Sequence, residues 1–291
     1  MSLEINGATG LTAIFGDPVE HSKSPAMHNA AYAALKMDRA YVALHVRSAD
    51  LAAALRAIPA FNLLGVNLTV PHKETAARLI KNLSKEVRLL GAVNCVINRR
   101  GKLYGDNTDA RGLERDLREL AVDLHGQLAI VIGAGGAAAS AVLACQRLGA
   151  SEVAICNRTT DRARALAKRM ARRRRGASKL EPLGLDAIAN VELLKGARLV
   201  INATPMGLTT ARFPAFDYEA TPRNCLFYDL IYAAKATAFL KPAIAAKRPV
   251  ADGAGMLVNQ GELAFKLFNR VSPPAGVMRA ALLNSLGRSN Q

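Results

Sequence analysis

The stretch Leu128-Ala-Ile-Val-Ile-Gly-Ala-Gly-Gly-Ala-Ala138 determines the fold class predicted for this chain. Five apolar residues of a buried strand lead into a turn of the form GxGxxA, and an alanine-rich helical segment follows. Gly133 permits a tight turn, and Gly135 allows the backbone to approach a pyrophosphate at the helix N-terminus. A tight turn without a ligand is the alternative. Because strand, turn and helix occur in the order that a dinucleotide requires, we expect cofactor contacts from Gly133, Gly135, Gly136 and Ala137.

The residues after the next predicted strand indicate which dinucleotide binds. In NAD-binding units an acidic side chain about 20 residues past the glycines binds the ribose hydroxyls. This chain instead has Asn157-Arg158-Thr159 at that point, followed by Arg162. Guanidinium groups bind a 2′-phosphate through charge-assisted hydrogen bonds, whereas a carboxylate would repel it. We therefore predict NADP as the cofactor, with its 2′-phosphate bound by Arg158 and Arg162.

The composition is that of a globular protein of about two domains. The chain has 291 residues, of which 51% are hydrophobic and 21% charged, and these values exclude a disordered chain. No window approaches the ~18 uninterrupted apolar residues of a membrane-spanning helix. The N-terminal stretch MSLEINGATG has neither a basic start nor a long apolar run. We expect a cytoplasmic protein with no membrane partner.

The positive charge of the chain is concentrated in one segment. The formal net charge is +16, and nine basic residues lie between Arg158 and Arg175 against one acid, Asp161. A strong basic excess raises the possibility of nucleic-acid binding, but here half of the excess is local. For the Arg172–Arg175 run, a solvated helix face is the favoured interpretation. The four cysteines form no CxxC pair and have no histidine or cysteine close enough to complete a zinc site, so no metal is expected.

Short apolar runs, often β-branched, alternate with helical patterns, which is typical of an α/β protein with largely parallel sheets. The runs are 40–46, 64–70, 128–132, 152–156, 198–203 and 225–231. The predicted fold class is α/β with two domains, an N-terminal α/β domain with a mainly parallel sheet and a doubly wound Rossmann domain. The predicted segments are 1–109, 110–251 and 252–291. The last segment is expected to form helices that pack back on the first domain.

Two polar clusters precede predicted helices. Pro25 is expected at the first helical position, which would make Ser24 the N-cap but leaves Ser22 unexplained. Two hydroxyls beside a helix N-terminus would suit a carboxylate ligand. In the second cluster either Asp106 or Asp109 could cap the helix that begins near residue 110, and only one of them is needed for that.

Further polar residues lie where strands of the first domain are predicted to end. Lys73 falls in the first turn of a helix starting near Pro71, where the helix macrodipole disfavours a cation by about 0.3–1 kcal/mol. A surface lysine remains the alternative. Asn67 and Thr69 are one strand period apart and therefore point to the same face. Asn94 lies within an apolar run, where its amide needs hydrogen-bond partners.

Nine short motifs follow one another along the chain. They are HSKSP (21–25), NLTVPHKE (67–74), GAVN (91–94), GDNTD (105–109), GAGGAA (133–138), NRTTDR (157–162), NATPMG (202–207), YDLIY (228–232) and DGAGMLVNQ (252–260). In all nine the chain resembles the shikimate dehydrogenase family, nearly from end to end. The resemblance implies a substrate-binding catalytic domain (1–109), an NADP-binding Rossmann domain (110–251) and C-terminal helices (252–291) that return to the first domain. Cys95, where threonine is common after GAVN, is a small departure at no matched catalytic position.

The resemblance also implies roles for individual residues. Lys73 and Asp109 resemble the catalytic pair, in which an ammonium stabilises negative charge on the ketone oxygen and donates the proton. Ser22 and Ser24 resemble the pair that holds the substrate carboxylate. The residues implied to bind the ring hydroxyls are Asn67, Thr69, Asn94, Asp109 and Gln260. Tyr232 resembles a tyrosine near the substrate, Leu230 resembles the side chain against the nicotinamide, and Gly253 is also implied in the cofactor site. In that site the motif match implies contacts from Asn157, Arg158, Thr159 and Arg162.

The leading functional hypothesis is the NADPH-dependent, reversible reduction of 3-dehydroshikimate to shikimate in aromatic amino-acid biosynthesis. The alternative is a quinate/shikimate dehydrogenase, whose substrate carries an additional C1 hydroxyl. Such enzymes often prefer NAD, against which Arg158 and Arg162 argue. A remote alternative is a non-catalytic nucleic-acid-binding or regulatory protein, which would explain the basic run but not Lys73 and Asp109. We expect a small-molecule substrate, no nucleic-acid partner, and a monomer or homodimer.

Overall fold

Two six-stranded sheets organise the chain in the computed structural model, which describes residues 5–171, 178–207 and 213–288. The first unit comprises the residues up to Gly112 and those from Leu257 onward, and the second comprises Leu113–Met256. The sequence-based boundaries were 109 and 251. Among the described residues, no helix is both long enough and apolar enough to cross a bilayer.

The N-terminal part of the chain alternates between strands and helices. Its elements are β1 (Gly10–Gly16), α1 (Ser24–Ala34), β2 (Arg39–His45), α2 (Leu51–Ala60), β3 (Gly65–Leu68), α3 (His72–Leu79), β4 (Asn82–Leu83), α4 (Lys85–Leu90), β5 (Cys95–Arg99), β6 (Lys102–Asp106) and α5 (Asp109–Glu119). Helix α1 begins at Ser24 with Lys23 in the N-cap position, and no side chain caps it. The prediction that Ser24 is the N-cap is therefore wrong, because the helix starts one residue earlier.

The sheet of the first unit has the order β2-β1-β3-β5-β6-β4. Strand β1 pairs in parallel with β2 and β3, and β4 pairs in parallel with β6. Strand β5 runs antiparallel to both of its neighbours, β3 and β6. Arg100 and Gly101 connect β5 to β6 with positive φ angles of 52° and 83°, the backbone conformation that two-residue hairpin turns require. The sheet is thus mainly parallel, with one antiparallel strand at its centre.

The second unit carries the predicted strand–glycine–helix stretch. Its elements are β7 (Leu128–Ile132), α6 (Gly136–Arg147), β8 (Glu152–Asn157), α7 (Thr160–Met170), β9 (Lys179–Gly184), α8 (Val191–Lys195), β10 (Ala197–Asn202), β11 (Leu226–Asp229), α9 (Leu240–Ala245) and β12 (Val250–Asp252). All five strand pairings are parallel, in the order β12-β11-β10-β7-β8-β9. This is the doubly wound Rossmann order, in which the strands succeed one another to one side of β7 as far as β9 and then to its other side from β10 onward. The predicted fold class is therefore confirmed.

Two helices complete the chain, α10 (Ala254–Asn269) and α11 (Val277–Ser285). The residues from Leu257 onward belong to the first unit, where α11 packs against α1. The ring of Phe265 on α10 contacts Tyr32 on α1, with ring centroids 5.0 Å apart. These apolar contacts bury one face of each helix. The first turn of α5 and most of α10 belong to the same unit.

Candidate active site and cofactor site

Lys73 and Asp109 form an ion pair in the first unit. Lys73 lies in the first turn of α3, directly after β3, and Asp109 is the first residue of α5, after β6. Lys73 Nζ donates to Asp109 Oδ2 over 2.7 Å, and the two side chains are 24% and 6% exposed. The structure thus brings an accessible ammonium onto a nearly buried carboxylate. Among the described residues, Asp109 is the only hydrogen-bond acceptor that Lys73 Nζ contacts.

Asn94 joins this ion pair to the neighbouring polar groups. Its Nδ2 donates to Asp109 Oδ1 over 2.6 Å and to Thr108 Oγ1 over 2.9 Å, and it lies 3.3 Å from Gln260 Oε1. Its Oδ1 accepts from the Thr108 backbone N–H over 2.8 Å. Both Asp109 oxygens are therefore occupied, one by the ammonium and one by the amide. The capping role considered for Asp109 is not what its side chain does.

Asn67 and Tyr41 extend the same network. Asn67 Nδ2 donates to the Asn94 carbonyl over 3.0 Å, and the Tyr41 hydroxyl donates to Asn67 Oδ1 over 2.8 Å. Tyr41 is buried in β2, and burial raises the pKa of its hydroxyl well above the ordinary value. The hydroxyl therefore stays protonated and fixes which end of the Asn67 amide carries the oxygen.

The two serines lie at the start of α1, and Thr69 directly follows β3. The Ser24 backbone N–H donates to Ser22 Oγ over 3.3 Å, so the two serines are adjacent. The Ser24 side chain lies near the Tyr41 hydroxyl and lowers the pKa of that tyrosine, which partly offsets the effect of burial. Thr69 follows β3, and its backbone N–H donates to the Phe15 carbonyl over 3.0 Å. Ser24 thus lies near Tyr41, whose hydroxyl hydrogen-bonds Asn67, and Thr69 lies at the end of the strand that contains Asn67.

Sequence reasoning missed three members of this network. Tyr41 lies in an apolar strand, and its role in the network is evident only from its hydrogen bond to Asn67. Thr108 bonds to Asn94, and Asn107 accepts from the Asp109 backbone N–H over 2.9 Å while donating to the Ala92 carbonyl over 2.9 Å. Asn107 and Thr108 are both fully buried, and their position within the GDNTD motif is the sequence signal that could have identified them.

Helices α5 and α10 approach each other closely at Gln260. A Cβ at Gly112 of α5 would lie 2.7 Å from the backbone nitrogen of Gln260 on α10. Real Cβ atoms do not approach that closely, so glycine is required here. The contact sets the position of Gln260 relative to Asn94 and Thr108.

The glycine turn of the second unit has the geometry that a pyrophosphate needs. Gly133 has a φ of 120°, and a Cβ there would come within 3.0 Å of the Ala203 carbonyl. A Cβ on Gly135 would meet nothing within 4 Å, so packing does not explain this glycine. Gly135 is the N-cap of α6, Gly136 and Ala137 begin the helix, and no side chain caps its amides. The open space and the free amides fit the phosphate groups of a dinucleotide.

The end of β8 lies beside this turn, because the Gly133 backbone N–H donates to the Cys156 carbonyl over 2.8 Å. Asn157 Nδ2 donates to the Thr159 carbonyl over 2.9 Å, which orders the loop that carries Arg158. Arg158 and Arg162 are exposed and have no carboxylate partner among the described residues. Their free guanidinium groups fit a 2′-phosphate. The predicted Arg172–Arg175 run lies outside the described residues.

Leu230 and Tyr232 follow β11, and Gly253 follows β12. A Cβ on Gly253 would collide with the Leu230 carbonyl oxygen, so this glycine has a packing role whatever else it contacts.

Between the ends of β10 and β11 lies a buried polar cluster that sequence reasoning missed. Asp229 accepts from Asn202 Nδ2 over 3.0 Å and from Thr237 Oγ1 over 2.6 Å. Burial raises the pKa of Asp229 to about 6.

Comparison with protein families identifies three matched segments. Residues 14–96 match the shikimate dehydrogenase substrate binding domain, residues 116–205 match the shikimate / quinate 5-dehydrogenase family, and residues 253–283 match the shikimate 5'-dehydrogenase C-terminal domain. Together these segments cover both units.

Individual proteins are similar over nearly the whole chain. The NADP(+) shikimate dehydrogenase of Geobacter sp. (strain M21) is 40% identical over 96% of this chain and 97% of that protein. The shikimate 5-dehydrogenase of Thermus thermophilus, solved in complex with NADP(H) and shikimate, is 35% identical. It has a TM-score of 0.83, covering 95% of this chain and 100% of that chain. The quinate dehydrogenase of Corynebacterium glutamicum, in complex with NAD, is 29% identical with a TM-score of 0.84, over 95% of this chain and 99% of that one. The chain belongs to the shikimate dehydrogenase family.

Proposed function

We propose that this chain catalyses the NADPH-dependent, reversible reduction of 3-dehydroshikimate to shikimate, a step of aromatic amino-acid biosynthesis. The observation that carries the proposal is the Lys73–Asp109 ion pair, 2.7 Å long, within a network of amides and hydroxyls. Relatives named NADP(+) shikimate dehydrogenase match 96% and 98% of this chain. NADPH supplies the hydride, and the residues of the first unit supply the proton and hold the substrate.

Lys73 is proposed as the acid that completes the reduction. Hydride addition to a ketone leaves negative charge on the carbonyl oxygen, and a neighbouring ammonium stabilises that charge and donates the proton. One N–H of Lys73 is engaged by Asp109, which leaves its other N–H groups for the substrate oxygen. The reverse reaction uses the same groups, with the neutral amine accepting the proton from the alcohol.

Asp109 and Asn94 orient this acid. Asp109 is nearly buried, and its second oxygen is fixed by Asn94, so the carboxylate cannot rotate away from the ammonium. Lost rotation of a catalytic group lowers the entropy cost of reaching the reactive geometry. The same carboxylate and the amides of Asn67, Asn94 and Gln260 are proposed to bind the ring hydroxyls. Ser22 and Ser24 are proposed to bind the carboxylate group, beside the N-terminus of α1.

The second unit is proposed to select NADP through Arg158 and Arg162. Both guanidinium groups are exposed without carboxylate partners among the described residues, and no acidic side chain follows β8 until Asp161, which pairs with Arg164 over 2.9 Å. Charge-assisted bonds to a 2′-phosphate would be lost with NAD. The glycine turn and the first amides of α6 are proposed to hold the pyrophosphate.

Steady-state rates with shikimate and quinate, each with NADP and with NAD, test the assignment. We expect the highest kcat/KM for shikimate with NADP. The Lys73→Ala variant, purified in parallel, controls for activity from a contaminating dehydrogenase. A highest kcat/KM for quinate with NAD would replace the proposal by a quinate dehydrogenase, the alternative favoured by the similarity to the Corynebacterium glutamicum enzyme.

Three further properties are proposed with this function. The protein is inferred to act in the cytoplasm, as a monomer or homodimer, with small molecules and not nucleic acid as its partners. The free arginines beside β8 suit a phosphorylated cofactor, which gives part of the basic charge a role in the reaction. Light scattering after gel filtration measures the oligomeric state, and a trimer or larger assembly would contradict this inference.

A further inference from the structure

The first unit contains a cavity of about 640 Å³ that none of the candidate site residues lines. It lies at the opposite end of β3 from the ion pair. Leu64, which lines the cavity, precedes β3, and Ile97, also a lining residue, pairs with Gly65 at the start of that strand. Asn67 pairs with Cys95 towards the other end. The cavity is therefore separate from the proposed substrate site, and nothing proposed above accounts for it.

Five basic side chains line this cavity, and no acidic side chain does; they are Arg39, Arg99, Arg111, Lys266 and Arg270. Arg111 is neutralised, because its Nη2 donates to Asp106 Oδ2 over 2.8 Å. Among the described residues, the other four have no carboxylate oxygen within 4 Å. Four positive charges thus remain around one opening without compensation. We call this opening, with its five basic residues, the basic cavity.

Two of these arginines are held in place by neutral groups. Arg39 Nη1 donates to Asn269 Oδ1, and Asn269 is itself anchored by donating to the Phe265 carbonyl over 2.8 Å. The guanidinium of Arg99 lies over the ring of Tyr104, 5.2 Å from its centroid. An amide and a ring fix the direction of a guanidinium group without cancelling its charge. Both groups are therefore oriented and remain available to an anion.

Stabilisation by a helix dipole explains only two of the four uncompensated cations. Lys266 lies in the last turn of α10 and Arg270 follows it, and cations there are favoured by the negative end of the helix dipole. Arg39 and Arg99 lie on β2 and β5, where no such effect applies. Like charges that converge without a counterion repel one another, so a bound anion would relieve the repulsion.

We propose that the basic cavity binds a small organic molecule that carries clustered phosphate groups. Four uncompensated cations match the charge of two phosphates or of a pyrophosphate. The lining also contains Leu64, Ile97 and Leu263, which provide apolar contact for the rest of the molecule. The volume lies within the range of sites that take small ligands, about 300–1,000 Å³. The proposal does not rest on the dehydrogenase activity.

Calorimetric titration of the full chain with inorganic pyrophosphate tests the proposal. Saturating NADP is present throughout, so that the glycine turn of the second unit is occupied. We expect one further binding event, which is weakened at least about tenfold in the Arg99→Gln/Lys266→Gln variant, because each charge-assisted contact contributes about a factor of ten. The control is Arg56→Gln/Lys81→Gln. It removes the same charge from exposed residues of a separate cavity of about 340 Å³ in the same unit.

The comparison of the two double variants decides the outcome. A loss confined to Arg99→Gln/Lys266→Gln supports the basic cavity, and the single variant Arg270→Gln should then show a smaller loss in the same direction. Equal losses in both double variants, or no pyrophosphate binding to the wild type, would overturn the proposal. Tighter binding of a short DNA duplex than of pyrophosphate at about 150 mM salt would overturn it in favour of a nucleic-acid surface. Circular dichroism of each variant checks that the fold is intact.

Discussion

Replacing His28 by Leu tests how strictly the core of the first unit excludes charge. His28 lies in α1 and is 1% exposed, and its ring stacks on Tyr41 with ring centroids 4.1 Å apart. Its Nδ1 has no hydrogen-bond partner among the described residues. Burial lowers the pKa of His28 from 6.5 to about 3. The folded protein therefore keeps this imidazole neutral well below the pH at which the unfolded chain protonates it.

The sign and size of the effect follow from these two pKa values. Between pH 6.5 and pH 3 the unfolded chain binds one more proton at His28 than the folded protein does, so the free energy of unfolding falls as the pH falls. Each pH unit in that range costs about 1.4 kcal/mol. From pH 7 to pH 5 the wild type should lose about 2 kcal/mol through this residue alone.

Urea unfolding of wild type and His28→Leu at pH 7 and pH 5, followed by circular dichroism, measures this loss. Other titrating groups contribute equally to both proteins and cancel in the difference. We expect the variant to gain about 2 kcal/mol relative to wild type on acidification. Phe265→Leu, a non-titrating change in the same core, should cost the same at both pH values. A pH-dependent difference below about 0.5 kcal/mol for His28→Leu would refute the reasoning.

Three substitutions test the two sites, and a fourth tests the pH dependence of stability at the buried Asp229. Lys73→Ala should lower kcat by about 10²–10⁴-fold with little change in KM for shikimate, and a loss confined to KM would make Lys73 a binding residue. Arg158→Ala should raise KM for NADPH by about 10–100-fold and leave NADH unaffected, so equal effects on both cofactors would count against selection by this arginine. Tyr41→Phe frees the Asn67 amide and should lower kcat/KM for shikimate about tenfold. Lower thermal stability at unchanged kcat/KM would instead make Tyr41 purely structural. For Asp229→Asn the sign is opposite to that of His28. The pKa of Asp229 is raised in the folded protein, so the free energy of unfolding of wild type should fall by roughly 2 kcal/mol relative to that of the variant as the pH rises from 4 to 7. A constant difference in urea unfolding would contradict this.

Strands β7 and β8 were predictable because they read as continuous apolar runs. The run 128–132 coincides with β7, and the run 152–156 with β8 to within one residue. Strand β9 was missed, since Lys179–Gly184 contains lysine, glutamate and proline and lies at a sheet edge, where burial does not select apolar residues. Strand β4 has only two residues and leaves no pattern.

The candidate site was predictable where its residues stand out from their surroundings. Lys73 does so because a cation is unusual in a first helical turn, and Asn94 does so because it interrupts an apolar run. Tyr41 gives no such signal, since tyrosine is common in strands and its partner Asn67 lies 26 positions away. The basic cavity gives none either, because its residues come from strands and helices that only the folded chain brings together.

The close contact between Gly112 and Gln260 makes the polar network sensitive to a residue that has no polar side chain. A single methyl group at position 112 would push α10 away from α5 and carry the glutamine amide out of reach of Asn94 and Thr108. Every acid, amide and hydroxyl of the network would keep its chemistry. Loss of function can therefore arise here from spacing alone, and a search for damaging variants that considers only charged and polar residues would overlook it.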